Sequence, residues 1–482
     1  MPILLKAASD MKRHTFVHRT RIAAPAEEVF DWHARPGAFE RLTPPWASVT
    51  QLEHTGGIKN GARRVLVVKL GPLRRRWTLE HCDYVEGRQF ADVQIEGPFR
   101  YWKHVHRMIP EGPDACLLED DVEYALPAGP LSKFLSQWFL DDQLRRLFEY
   151  RHRVVAEDFA SGGRSHHANP GGNPHLHLRR VVVTGASGLM GSALVPALQA
   201  DGYRVDRLVR HPQHVCPQAS YWNPTKGTID ASFLHDAEVV IHLAGEDVLG
   251  DLRWSRAKKR EVFESRVRGT RLLARALAQL PEKPQVFISA SAVGFYGDRG
   301  DELLDEQSSP GRGFLADVCQ AWEAATKAAQ QAGIRVILAR LGMILSSQQG
   351  ALGRLLVPFQ LGAGGRIGSG EQFWSWITLD DAIGATRHCL TNTSLAGPVN
   401  FVAPHLVTNQ EFAQTLAQVL RRPAWVKVPA AGARLAWGEM ADELLLKSTR
   451  VKPRKLLSSG YQFQHPKLPN ALRQVLAKRH AA

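Results

Sequence analysis

Cysteine is scarce in this chain, and the little there is stands apart. Five cysteines occur in 482 residues (Cys82, Cys116, Cys216, Cys319 and Cys389), an odd number with wide spacing and no C-x-x-C. That excludes a disulfide framework and a structural zinc site of the usual spacing, and no metal ligands are assigned. Long apolar runs are lacking too: none approaches the roughly eighteen residues of a membrane span. The apolar patch in the opening MPILLKAASDMKR is too short for a secretory signal. The chain therefore reads as cytoplasmic, with no membrane span. An acidic excess is also missing. The formal net charge is +14, yet the basic residues are scattered, as in LRRRW at 73–77 and AKKR at 257–260, and no nucleic-acid motif accompanies them. A basic surface serving an anionic cofactor is expected, and nucleic acid is not expected as a partner.

What is present is ordinary globular composition, with 44% hydrophobic and 22% charged residues. The length is that of two or three domains. Residues 161–178, dominated by Gly, Pro, Ser and Asn, read as a flexible linker; their His166, His167, His175 and His177 lack the rigid surroundings of a metal site. Between a tail at 1–13 and this linker, residues 14–160 give a strand (FVHRTRIAA), two short helical pieces and five strand-like runs from RRVLVVKL to ACLLEDDVEYAL. A long final helix follows, with Leu131, Phe134, Leu135, Trp138, Phe139, Leu147 and Phe148 at helical spacing. This is an α+β order.

After the linker, strands and helices alternate, as expected of a doubly wound α/β parallel sheet. FLADVCQAWEAATKAAQQAG reads as one helix and IRVILARLGMIL as one strand. The first βα turn is VVVTGASGLMGSALVPAL. Its Gly185, Gly188 and Gly191 follow an apolar strand and open a helix, the context in which a glycine pattern cradles a pyrophosphate at a helix N-terminus. Ser187, Leu189 and Met190 complete the loop. The second strand, YRVDRLVR, ends at Arg210, where an acidic residue would bind the ribose of NAD; an arginine there pairs with the 2′-phosphate of NADP(H), which is favoured over NAD(H). Asp206 lies too early in the strand for that task. Ala244 and Gly245 in HLAGE supply small residues where a cofactor passes close to backbone. In WITLDDAIGA, Thr378 and Asp381 read as a helix cap rather than a carboxylate site, and Trp374 and Trp376 as packing residues.

Together VTGASGLMG, HLAGE, SASAVGFYG and FWSWITLDDAIGA resemble the extended short-chain dehydrogenase/reductases of the NAD-dependent epimerase/dehydratase superfamily, with their Rossmann fold. The similarity is strongest to the atypical YfcH-like "sugar-nucleotide epimerase" branch, through SAVGFYGDRG, QAWE and RLGMIL with GAGGRIGSG. STRVKPRKLLSSGYQFQHPKLPNAL resembles that branch's small C-terminal domain of unknown function. APAEEVFDW followed by TPPW, within the strand order of 14–160, resembles the START-like (SRPBCC/polyketide cyclase) helix-grip domains, which implies a cavity for an apolar ligand. The resemblance implies an NADP-binding domain over 179–405, a substrate-binding cap over 406–482, and a homodimer contact through 258–280 and 315–333.

The superfamily works with Ser, Tyr and Lys, and Ser291 matches the serine. Aligning Y-x-x-x-K-x-x-x-E on Glu323 puts the Tyr position at Leu315 and the Lys position at Cys319, neither of which can do the same work. Tyr296, with Asp298 beside it, is the candidate stand-in, ahead of a nucleophilic Cys319. The function expected is an NADP(H)-dependent oxidoreductase or epimerase-like enzyme of unspecified small-molecule substrate. The alternatives are a non-catalytic NADP(H)-binding sensor and a START-like carrier that hands an apolar substrate to the reductase half.

Overall fold

Alternation decides the N-terminal architecture. In β1 (His14–Ile22) every second residue is exposed, the mark of a strand with one covered face. The structure, a computed structural model, describes residues 12–70, 73–126, 137–160 and 179–477; the expected linker at 161–178, its four histidines, and Leu131, Phe134 and Leu135 lie outside them. The chain divides into two compact units.

The first unit continues with α1 (Ala26–Ala34), α2 (Ala38–Arg41), β2 (Val49–His54), β3 (Arg63–Leu70), β4 (Leu73–Val85), β5 (Gln89–Glu96), β6 (Tyr101–Pro110), β7 (Cys116–Ala125) and α3 (Gln137–Ala160). The strands form one antiparallel sheet in the order β1-β7-β6-β5-β4-β3-β2. Helix α3 lies against it, burying Leu140, Leu144 and Phe148 with Leu66, Trp102, Val122 and Tyr124. A sheet wrapped on its last helix is the START-like helix-grip arrangement. Strand β2 goes unrecognised in the sequence because VTQLEH carries little apolar weight. Phe139, expected on the core face, is 43% exposed.

The second unit opens with β8 (Arg180–Thr184), α4 (Gly191–Ala200), β9 (Arg204–Val209), β10 (Ala219–Asn223), β11 (Thr228–Ile229), β12 (Val239–His242), α5 (Arg256–Gln279) and β13 (Val286–Ala292). Then come α6 (Phe314–Ala324), α7 (Lys327–Gln331), β14 (Arg335–Leu341), α8 (Leu379–Thr391) and β15 (Gly397–Phe401). The order is β11-β10-β9-β8-β12-β13-β14-β15, parallel apart from the β10–β11 edge. Cores lie on both faces, as a doubly wound Rossmann sheet requires. Direction of chain progress reverses between β8 and β12, and the carboxyl ends of such a strand pair are where open α/β sheets take their ligands.

Two expected elements are each broken in two. The helix from Phe314 stops at Ala324, where the Thr326 hydroxyl bonds the Glu323 carbonyl at 2.7 Å, and resumes as α7. The strand IRVILARLGMIL stops at Gly342, where a Cβ would come within 2.8 Å of the Ser375 carbonyl; Met343–Leu345 then pairs with Trp376–Thr378. Thr378 caps α8, accepting from the Asp381 amide at 3.0 Å. Among the described residues no helix is long and apolar enough to cross a membrane.

Candidate active site

The glycine turn is built for contact at its outer side. Gly185 has φ +72°, and a Cβ on it would meet the Ala244 nitrogen at 2.7 Å; a Cβ on Gly191 would meet the Gly185 carbonyl oxygen at 2.2 Å. These two glycines are required by the fold itself. Gly188 differs. Its Cβ would touch only the Gly185 oxygen, at 3.3 Å, and it is exposed beside the exposed Ser187, with Leu189 partly covered and the Met190 side chain anchored in the core. The loop therefore presents backbone to the outside just ahead of α4, whose first-turn amides of Ser192, Ala193 and Leu194 are taken by the Gly188 and Met190 carbonyls.

A buried network holds the turn against β12. Thr184 Oγ1 accepts from the Ala244 amide at 3.3 Å and lies 2.7 Å from His242 Nδ1, while His242 Nε2 lies 2.9 Å from Thr270 Oγ1. Burial holds the His242 imidazole down at about 4, so it is neutral. Gly185, Gly188, Gly191, Ala244 and Gly245 thus gather at one switch point. Beyond β9, Arg210 is exposed. Asp206 is fully buried and held by Arg180 at 2.6 Å, which leaves no acidic group of this strand facing outward for a ribose.

Ser291, Arg340 and Asn400 are direct neighbours across β13, β14 and β15. Ser291 Oγ donates to Glu323 Oε1 at 2.7 Å. Arg340 makes a two-pronged bond to Glu323 at 2.8 and 2.9 Å and donates to the Tyr296 hydroxyl at 2.9 Å. Tyr296 donates in turn to Asn400 Oδ1 at 2.7 Å. Tyr296 has no exposed surface, and burial pushes its phenol up to about 12 against the opposing pull of Arg340. The structure thus places Tyr296 inside the sheet's polar network. Asp298 is set apart from it, accepting from the Gly300 and Ser448 amides. Leu315 and Cys319 face the loop after β13: a Cβ on Gly294 would lie 3.3 Å from Leu315 Cβ and 3.7 Å from Cys319 Sγ. Burial, and then Glu323, push the Cys319 thiol up to about 12, so it stays a thiol near neutral pH.

One cation beside Gly245 has no counterpart in the sequence patterns. Arg266 of α5 donates to the Glu246 and Val262 carbonyls at 3.0 and 3.2 Å and stacks 5.0 Å from the Trp322 ring. A Cβ on Gly245 would sit 3.3 Å from its guanidinium carbon. Arg266 is hidden among the charges of a long helix. For Arg340 a signal does exist, an arginine inside an apolar strand run.

The family model described as the NAD dependent epimerase/dehydratase family matches residues 181–402. An epimerase family protein of Mycobacterium leprae is 41% identical over 292 residues, 61% of this chain and 94% of its own length. The chain belongs to the NAD-dependent epimerase/dehydratase family. Residues 22–148 match the model for polyketide cyclase / dehydrase and lipid transport, and residues 428–475 match a domain of unknown function. The solved nucleoside-diphosphate sugar epimerase of Corynebacterium glutamicum, 30% identical, covers 96% of this chain and 91% of its own with a TM-score of 0.76. The human epimerase family protein SDR39U1, solved with NADPH, is 34% identical over 62% of this chain and 99% of its own, with a TM-score of 0.57. In this epimerase-family chain Ser291 of β13 is bonded to Glu323 of α6, the helix that also carries Leu315 and Cys319. Tyr296→Phe is expected to leave Arg340 and Asn400 each short of a buried partner. That lowers stability by about 1–3 kcal/mol in urea unfolding without changing cofactor affinity. An unshifted midpoint would show the hydroxyl bonds to be idle.

Proposed function

We propose that this protein binds NADP(H) in preference to NAD(H), through the Gly185–Gly191 turn and Arg210. The reading is carried by one contrast along β9 and its end: Asp206 within the strand is buried against Arg180, while Arg210 just beyond it is exposed. The exposed turn at Ser187 and Gly188 ahead of α4, with Ala244 and Gly245 beside it, supports it as the phosphate cradle. A nicotinamide bound there would supply hydride chemistry. This chain's own part is to grip the phosphates and to hold a positive charge, Arg266, beside Gly245; Ser291, 1% exposed and donating to Glu323, would have to turn from that bond to orient a substrate oxygen. On that reading the chain is an oxidoreductase or epimerase-like enzyme acting on a small molecule, with domains over 14–160, 179–405 and 406–482 and an apolar ligand in the first of them.

A second function, an NADP(H)-binding sensor without turnover, is favoured by the proton inventory. Leu315 has no proton to give, and Tyr296 and Cys319 both hold theirs up to about 12. Titrating NADPH and NADH into the full chain tests the shared part, and absence of micromolar binding by either removes both functions. Arg210→Asp is expected to weaken NADPH about ten- to a hundredfold, the range of a charge-assisted bond, and NADH hardly at all; equal losses would remove the 2′-phosphate role. NADPH consumption in cell extract that falls with Ser291→Ala separates enzyme from sensor.

A further inference from the structure

The START-like unit holds a second constellation, independent of the dinucleotide site. Strand register sets His81, Asp92 and His104 side by side on β4, β5 and β6, and Phe90, His106, Asp120 and His18 side by side on β5, β6, β7 and β1, one step along. The alternation of strand side chains turns both rows toward α3: the His152 Nε2 of that helix lies 2.6 Å from Asp120 Oδ2, and its Phe148 ring 5.1 Å from the His104 ring. Asp92, His104 and His106 are all buried, and one ligand atom from each lies within 4.8 Å of the others.

Asp120 braces both rings from the far side. Its Oδ1 lies 2.8 Å from His104 Nε2 and 2.6 Å from His106 Nδ1. The first contact is a hydrogen bond; the second lacks the alignment of one and leaves His106 Nδ1 without a hydrogen-bond partner. The opposite nitrogens are His104 Nδ1 and His106 Nε2. Both look toward Asp92 Oδ1, at 3.5 and 3.9 Å. One ligand atom from each of the three residues thus meets the others in a buried space, beside two carboxylates that call for positive charge, from an ion or from a protonated ring. Metal–ligand bonds of about 2.0–2.2 Å at tetrahedral angles separate ligand atoms by about 3.3–3.6 Å, a range that the 3.5 Å spacing meets and the 3.9 Å spacing exceeds slightly. Asp120, bonded to the far nitrogen of His104 and close to that of His106, and Trp102 Nε1, donating to Asp92 Oδ2 at 3.2 Å, supply the supporting carboxylate–histidine–metal pattern. A separate observation points the same way. His81, cross-strand partner of Asp92 and only 7% exposed, directs Nδ1 to the Ala91 carbonyl at 3.3 Å and leaves Nε2 buried without a partner.

From this geometry we propose that Asp92, His104 and His106 bind a divalent first-row transition ion, in a two-histidine, one-carboxylate site that leaves positions open for a further ligand. The sequence conceals it. Its histidines are an H-x-H pair inside a strand, a spacing outside the zinc patterns, and the carboxylate comes from the neighbouring strand.

The probe is Co²⁺ added to the full chain after treatment with a chelator. One equivalent is expected to bind saturably and to give visible d–d absorption, displaced by Zn²⁺. Asp92→Asn and His106→Gln should each weaken uptake by at least about tenfold, and Asp120→Asn by about 10- to 100-fold, the range for a supporting partner. Should His106→Gln fail to fold by circular dichroism, Asp92→Asn carries the comparison, since asparagine has the same shape and can still accept from Trp102. Absence of uptake would overturn the site and leave a shared proton as the neutralising charge. Unchanged affinity in the variants would overturn it by placing the ion elsewhere, for example on His166, His167, His175 and His177.

Discussion

Arg340→Met is expected to cost the second unit about 3–5 kcal/mol, the usual loss when one partner of a buried ion pair is removed. Arg340 is 3% exposed, is clamped by both oxygens of Glu323, and lies 3.5 Å over the Phe295 ring. Methionine fills much of the volume but supplies no charge. Glu323 would be left as a buried carboxylate with only the Ser291 hydroxyl as donor, and Tyr296 would lose its cationic partner. Urea unfolding measures the loss. Adding Glu323→Gln should recover part of it, because the stranded charge disappears. A loss below about 1 kcal/mol would mean that water solvates Glu323 after all, as in an exposed pair.

The second large effect separates the three glycines of the turn. Gly191→Ala places a Cβ 2.2 Å from one backbone atom and 2.7 Å from another. Neither can move aside as a flexible side chain would, so the turn must be rebuilt. NADPH affinity should fall more than about a hundredfold, with a lower melting temperature, since 1 kcal/mol corresponds to about 2–4 °C for a unit of this size. Gly188→Ala meets only one oxygen, at 3.3 Å, and its melting temperature should move by less than about 2 °C. Its NADPH affinity should nevertheless drop, because the added methyl stands where a phosphate would approach the backbone. Unaltered NADPH binding by Gly188→Ala would place the pyrophosphate elsewhere.

Much of the second unit is legible in its letters because buried parallel strands are short apolar runs, and the glycine pattern sits where one such run meets a helix. Its failures have a common cause. The break at Thr326 arises from a side chain bonding a carbonyl three residues back, and the break at Gly342 from the nearness of Ser375; neither neighbour alters local periodicity. Ser291, Arg340 and Asn400 are far apart in the chain yet adjacent across three strands. Asp92 and the histidines of β6 likewise become neighbours only through register. Periodicity predicts which face of a strand is covered, but not which polar residue of another strand will share it.

Arg180 ties the second strand of the parallel sheet to the approach to β12. Besides holding Asp206, it donates to the Phe233 carbonyl at 2.7 Å and to that of His235. Asp206 is therefore committed to the fold and not available to a dinucleotide. Freeing it means altering Arg180, and with Arg180 goes the pin on the turn that leads into β12. On the proposed reading, a change of coenzyme falls to position 210, beyond the strand, and proceeds without touching this pin.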